Sequence, residues 1–160
     1  RQKTIQDAIE ELIIKERLDL SKPLRELDKE IEEIELSLRE VVITTCDNNT
    51  SHIPDHILQK ASERIMRASK KNAAFDSEKY QAFSGIIEFF DLREVQDTII
   101  SKGLWDKFQP LFLNKETITQ KFNQLAELRN SIRHSRSIDD ITKKEGEAAI
   151  LWFKQVVGKN

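Results

Sequence analysis

Residues 23–46, PLRELDKEIEEIELSLREVVITTC, carry Leu24, Leu27, Ile31, Ile34, Leu38 and Val41 at spacings of three and four. An α-helix turns once every 3.6 residues, so these six aliphatic side chains form one stripe along one face. Ser21-Lys22-Pro23 precedes the stripe. Proline suits a first helical turn, because the N–H it lacks would be unbonded there anyway. The outer face is dense in glutamate and reads as a solvated surface. The stretch therefore predicts one long amphipathic helix whose seam suits a bundle or a coiled contact.

The same reading extends outward. Residues from about 3 to 19 predict a helix with Ile5, Ile9, Leu12, Ile13 and Leu20 on one stripe. After the polar loop Asp47–Ser51, a shorter helix has Pro54 in its first turn and Ile57, Leu58, Ala61, Ile65 and Met66 inward. Residues from about 68 to 78 read as a connection, and a helical stretch covers about 78–89. Asp91 and Glu94 have capping-box spacing, which starts a helix carrying Leu92, Val95, Ile99 and Ile100 and closed by Lys102-Gly103. Leu104, Trp105, Phe108, Leu111 and Phe112 read as core packing. Asn114 caps a helix over about 115–134, with Ile118, Phe122, Leu125, Leu128 and Ile132 inward. Ser135-Arg136-Ser137 makes a turn, and Asp139 or Asp140 caps a last helix. That helix holds Ile141, Ala148, Ala149, Leu151, Trp152, Val156 and Val157. The expected fold is an all-α, up-and-down helical bundle over residues 23–160, with residues 1–22 as an added N-terminal helix.

Composition agrees. The 160 residues suffice for one domain with a real core, and four glycines, three prolines and 34% charged residues favour long helices over a turn-rich β fold. Mean hydropathy is -0.55, and no apolar run approaches the roughly 20 residues of a membrane span. The first segment lacks the basic-then-apolar pattern of a signal peptide. The lone Cys46 suits a reducing compartment and reads as a small apolar filler. These features predict a soluble, cytoplasmic protein with no membrane association. The chain opens on Arg1 rather than Met, so a longer parent is expected. Net charge is -2, yet residues 1–60 hold 9 basic against 14 acidic residues and residues 101–160 hold 11 against 7. A polyanion would therefore meet the C-terminal part.

Many enzyme signatures are absent: no Gly-rich phosphate loop, no paired-cysteine zinc pattern and no His-Glu-x-x-His. His52 and His56 are four apart, but Pro54 lies between them, and they read as surface histidines at a helix start. Asn48 and Asn49 sit in glycosylation sequons that mean little in a cytosolic chain. What remains is Leu128-Arg129-Asn130-Ser131-Ile132-Arg133-His134-Ser135-Arg136. Cations at a helix C-terminus complement the helix dipole, which is the plain structural reading. An Arg followed by a His at such a distance is also cheap in a chain with ten arginines and three histidines. Position strengthens the segment: Leu125, Leu128 and Ile132 bury one side, so Arg129, Asn130, Arg133 and His134 fall on or beside the opposite arc. An imidazole can move the proton of a ribose 2′-hydroxyl, and arginine can clamp phosphate oxygens. That scheme requires no metal or other cofactor.

The segment resembles the Arg-x4–6-His motif of the HEPN superfamily, helical proteins many of which are ribonucleases. Asn130 occupies the polar position directly after the Arg that the family favours. Residues 34–41 are similar to the family's opening helix, and Ile53-Pro54-Asp55 with Ala61 and Arg64 to its next element. Phe89-Phe90-Asp91-Leu92, Ile99-Ile100, Trp105, Phe108 and Phe112 resemble the middle of one subgroup. That subgroup includes the C-terminal domain of a eukaryotic transcript-surveillance endonuclease and prokaryotic defence and toxin proteins. The resemblance covers about residues 28–157. It implies Arg129 and His134 as the catalytic pair, Asn130 as their orienting residue, and a composite site formed by two motifs across a homodimer. It implies metal-independent RNA cleavage leaving a 2′,3′-cyclic phosphate and a 5′-hydroxyl. Arg133 and Arg136 have no fixed family role, and phosphate contact is the role expected here. Toxins of this family silenced by a nucleotidyltransferase carry Tyr two residues after the His; Arg136 stands there, so that control is not expected.

Three functions follow in order of expectation. The first is a dimeric endoribonuclease domain at the effector end of a larger defence or stress protein, with an ATPase or sensor upstream. The second is a non-catalytic module of the same family that binds RNA or nucleotide, or dimerises its parent. The third is a plain helical interaction domain, with residues 3–46 docking a partner helix and strong sensitivity to substitution along Leu27, Ile31 and Ile34.

Overall fold

A computed structural model describes residues 4–9, 11, 22–134 and 137–158, and they form an all-α bundle with no strand among them. Helix α1 spans Lys22–Thr45 and α2 spans Asp55–Lys71. A 3-10 turn (Ser77–Tyr80), the short α3 (Phe83–Ile86) and a second 3-10 turn (Ile87–Phe89) lead to α4, Leu92–Ile100. Helices α5 (Trp105–Phe112), α6 (Lys115–Arg133) and α7 (Asp140–Val157) complete the chain. Helix α7 packs most extensively on α6, and α1 lies against both.

The stripe predicted on α1 is the floor of the core: Ile31, Ile34, Leu38 and Val41 are buried, joined by Val42 and Cys46, with Leu24 and Leu27 packed at its margin. Ile31 and Ile34 are enclosed by the chain's own helices, so the row through Leu27, Ile31 and Ile34 is not open to a partner. Of the predicted N-terminal extension, residues 5–9 and 11 are helical; Ile5 and Ile9 are exposed, whereas Leu12, Ile13 and Leu20 lie outside the described residues.

The predicted N-caps hold atom by atom, whereas α4 is closed by Ser101, ahead of the expected Lys102-Gly103. Asp91 and Glu94 form the reciprocal capping box of α4. Asn114 accepts from the Thr117 N–H at 2.7 Å, and Asp139 from the Thr142 N–H at 2.8 Å. The bond from the Thr142 N–H, with a second from its hydroxyl, holds the Asp139 carboxyl below the usual carboxylate range.

Three further expectations need correction. The helix expected over 78–89 is broken into 3-10, α and 3-10 pieces, with an extended backbone at Ala82 between the first two; Arg39 and Arg64 bind the carbonyls of Ile87, Phe89 and Phe90 at its far end. Helix α2 continues through Lys71, beyond the expected end, and Met66 faces solvent. On α7, Ile141 is 70% and Leu151 56% exposed, and Ala148 is exposed too. Ile150 and Phe153 take the inward places, with the Phe153 ring edge-on to Phe122 at 5.1 Å. Gly146 sets the α6–α7 spacing, since a Cβ there would lie 2.5 Å from Leu128 Cδ2.

Candidate functional site

The segment singled out in sequence is the last turn of α6. Ile118, Phe122, Leu125, Leu128 and Ile132 bury one side of that helix, as expected. The helix ends at Arg133, and His134 closes it with a non-helical backbone whose N–H donates to the Asn130 carbonyl at 2.9 Å. Asn130 and His134 are both exposed. Arg136 lies outside the described residues.

The two arginines point to α1 instead. Arg129 Nε lies 2.9 Å from Glu35 Oε1, with the side chains 27% and 11% exposed. The geometry is that of an ionic contact: the N–H is not aligned for a hydrogen bond, and both atoms are closed off from solvent. Arg133 Nε lies 3.4 Å from Asp28 Oδ1, and its Nη2 lies 3.9 Å from Glu32 Oε1. Asp28, Glu32 and Glu35 follow each other at spacings of four and three, so they line one edge of α1. Arg129 and Arg133, four apart, meet them in reverse order, which sets the two helices antiparallel. Lys154 of α7 joins the same helix through Glu30 at 2.5 Å. The glutamate-rich face of α1, expected to be solvated, thus binds the cations of α6 and α7 along part of its width.

Sequence reading placed the arginines, the amide and the imidazole in one compact group. The structure separates them. At 100° per residue, Arg129 and His134 project about 140° apart, whereas Asn130 and His134 are about 40° apart. Among the described residues no hydrogen bond joins the side chains of Arg129, Asn130 and His134. One copy of α6 therefore presents amide and imidazole to solvent, and guanidinium to α1.

Glu35 is the residue that sequence reasoning passed over at this site. It lay within the stretch that carried the resemblance, but was given no role. The available signal was the spacing of Asp28, Glu32 and Glu35, which matches an arginine pair four apart on another helix.

The other candidate groups are elsewhere. His52 and His56 are exposed at the start of α2, and among the described residues no three His, Cys, Asp or Glu side chains converge as metal ligands. Cys46 is buried in the core, where desolvation pushes its thiol pKa up and disfavours the reactive thiolate. The Asn48 side chain accepts from the Ser84 N–H and so ties its loop to α3, whereas Asn49 accepts from Ser51 in a local turn. An open cleft of about 610 Å³ lies beside the first half of α6, lined by Lys115, Gln120, Gln124 and Glu145 among others, away from the motif end. Among the described residues, no helix is long and apolar enough to cross a membrane. No family model, curated protein or solved structure matches the chain.

Proposed function

We propose that this chain is a metal-independent endoribonuclease domain that works as a homodimer through the end of α6. The observation that carries the reading is the exposed pair Asn130 and His134 on the final turn, next to an arginine held in place rather than free. His134 takes the proton of the ribose 2′-hydroxyl as that oxygen attacks phosphorus. The phosphorus–O5′ bond breaks, and the departing O5′ receives a proton, giving a 2′,3′-cyclic phosphate and a 5′-hydroxyl. Arg129 offsets the charge that builds on the phosphoryl oxygens, and Asn130 orients the reacting groups. The separation of Arg129 from His134 around one helix favours a composite site, in which a second copy supplies the imidazole of the opposite role. Arg133 and Arg136 fill the phosphate-contact role. In this reading the domain is the cytoplasmic effector end of a larger defence or stress protein, with an ATPase or sensor domain as its candidate upstream neighbour.

A second reading has its own support. Both motif arginines among the described residues are paired with carboxylates of α1, which offsets their charge. That arrangement suits a non-catalytic module that binds RNA or dimerises its parent.

The test is cleavage of a mixed RNA in excess chelator by the full chain, beside a folded His134→Ala variant, with molar mass measured in solution. A dimer whose cleavage falls by about 10²-fold or more in the variant supports the nuclease. A dimer that retains RNA with a steep salt dependence, and cleaves none, supports the binding module.

A further inference from the structure

Glu35 differs from the other acids that meet α6 and α7. Its side chain is 11% exposed, against 26% for Asp28, 37% for Glu30 and 60% for Glu32. It meets its arginine through Nε, and no hydrogen bond among the described residues occupies the terminal nitrogens Nη1 and Nη2 of Arg129. Arg133, by contrast, has carboxylates beside both its Nε and Nη2. A guanidinium held at Nε keeps the two parallel donors with which it can bind a phosphate in bidentate fashion.

Stability does not account for the pair. Burying two charges costs about as much as their attraction returns unless hydrogen bonding is good, and here the bond is misaligned. A carboxylate next to an anion site also repels the anion, so the contact has to supply something else.

We propose that Glu35 is a positioning residue for Arg129: it fixes the guanidinium from its Nε side and leaves Nη1 and Nη2 for an RNA phosphate. The inference rests on the motif's being an RNA site, and deepens that reading by assigning the group that orients its arginine. Glu35 acts through Arg129 and touches no reacting atom.

The experiment is a double-mutant cycle in the full chain. Binding of an uncleavable 2′-O-methyl oligoribonucleotide is measured for the parent, Glu35→Ala, Glu35→Gln, Arg129→Ala and the double variant, alongside kcat and KM on the cleavable oligonucleotide of the same sequence. Glu35→Ala is expected to weaken binding by about tenfold, as Arg129→Ala does, and the double variant to be no worse than Arg129→Ala. Glu35→Gln keeps the shape but not the charge of this ionic contact, and is expected to weaken binding toward the level of Glu35→Ala. Should Glu35→Ala not fold, Glu35→Asp replaces it; charge is kept, reach is lost, and binding is expected to fall. Binding that stays equal or tightens in Glu35→Ala or Glu35→Asp, or strictly additive losses in the cycle, overturns the inference. A parent that binds with the expected pattern but does not cleave retires the nuclease and leaves the positioning role standing. A Glu35→Ala variant that cleaves as fast as the parent retires the positioning role alone. A parent that binds no RNA removes both.

Discussion

Two arginine systems bracket this bundle, and they use the same side chain differently. At the 87–94 turn, Arg39 donates to the Ile87 and Phe90 carbonyls at 3.3 and 2.7 Å. Arg64 donates to the Phe89 carbonyl and to the buried Glu94 carboxylate, which also closes the α4 capping box. The Glu94 bond raises the Arg64 pKa, as expected for a guanidinium held by a carboxylate. At the end of α6, Arg129 and Arg133 touch no backbone carbonyl among the described residues and meet only acids of α1. Arginines that satisfy buried carbonyls hold a turn together. Arginines that meet an acidic helix edge tie one helix to another across the bundle.

The sharpest way to break this contrast is Arg64→Ala. It strands Glu94, whose side chain is 9% exposed, and leaves the Phe89 carbonyl short of a donor. A loss of about 3 kcal/mol is expected in denaturant unfolding. A loss under about 1 kcal/mol would mean that the turn does not depend on the clamp. Gly146→Ala comes next. Its Cβ would meet Leu128, the neighbour of Arg129, so α7 must move off the motif end. Overpacking of about 1–3 kcal/mol, partly offset by the better helix propensity of alanine, leaves a net loss of about 1 kcal/mol. Fluorescence of Trp152 on α7 should change with it, while the 87–94 turn keeps its amide protection. Arg133→Ala is expected to cost less, at most about 1 kcal/mol, because its partners are partly exposed. A thermal shift as large as that of Arg64→Ala would erase the distinction between the two systems.

The smallest effect is one of pH. The Asp139 carboxyl titrates lower in the folded chain than in the unfolded one, so its contribution is present above the unfolded value and is lost as pH falls through the folded one. The first turn of α7 is therefore expected to loosen only below the ordinary carboxylate range of about 4. An acid titration followed at the Thr142 amide checks it; a midpoint at or above that range would remove the assigned bond.

Much of the bundle was readable because its signals are local. The α1 stripe, the capping box of Asp91 and Glu94, and the caps Asn114 and Asp139 depend on residues within a turn or two of each other, and each formed as read. The errors share a different cause. Helix α7 is apolar nearly all round from Ala148 to Phe153, so periodicity alone could not choose between Leu151 and Ile150; contact with α6 chose. The 78–89 stretch reads as one helix, yet Ala82 is extended and the end of the stretch is tied to Arg39 and Arg64, 25 to 51 residues away in the chain.

The candidate site divides along the same line. That Arg129, Asn130, Arg133 and His134 occupy the end of one helix follows from the helical period and the Asn114 cap, which are properties of neighbouring residues. That both arginines turn to α1, while the amide and imidazole meet no partner side chain among the described residues, was decided by packing. Asp28, Glu32 and Glu35 are about a hundred residues away in the chain, and only the docking of α6 and α7 on α1 brings opposite charges within 4 Å. Caps and periods are short-range forces written in adjacent letters; a charge pair across the bundle exists only once burial of the apolar stripes has fixed which helix lies beside which.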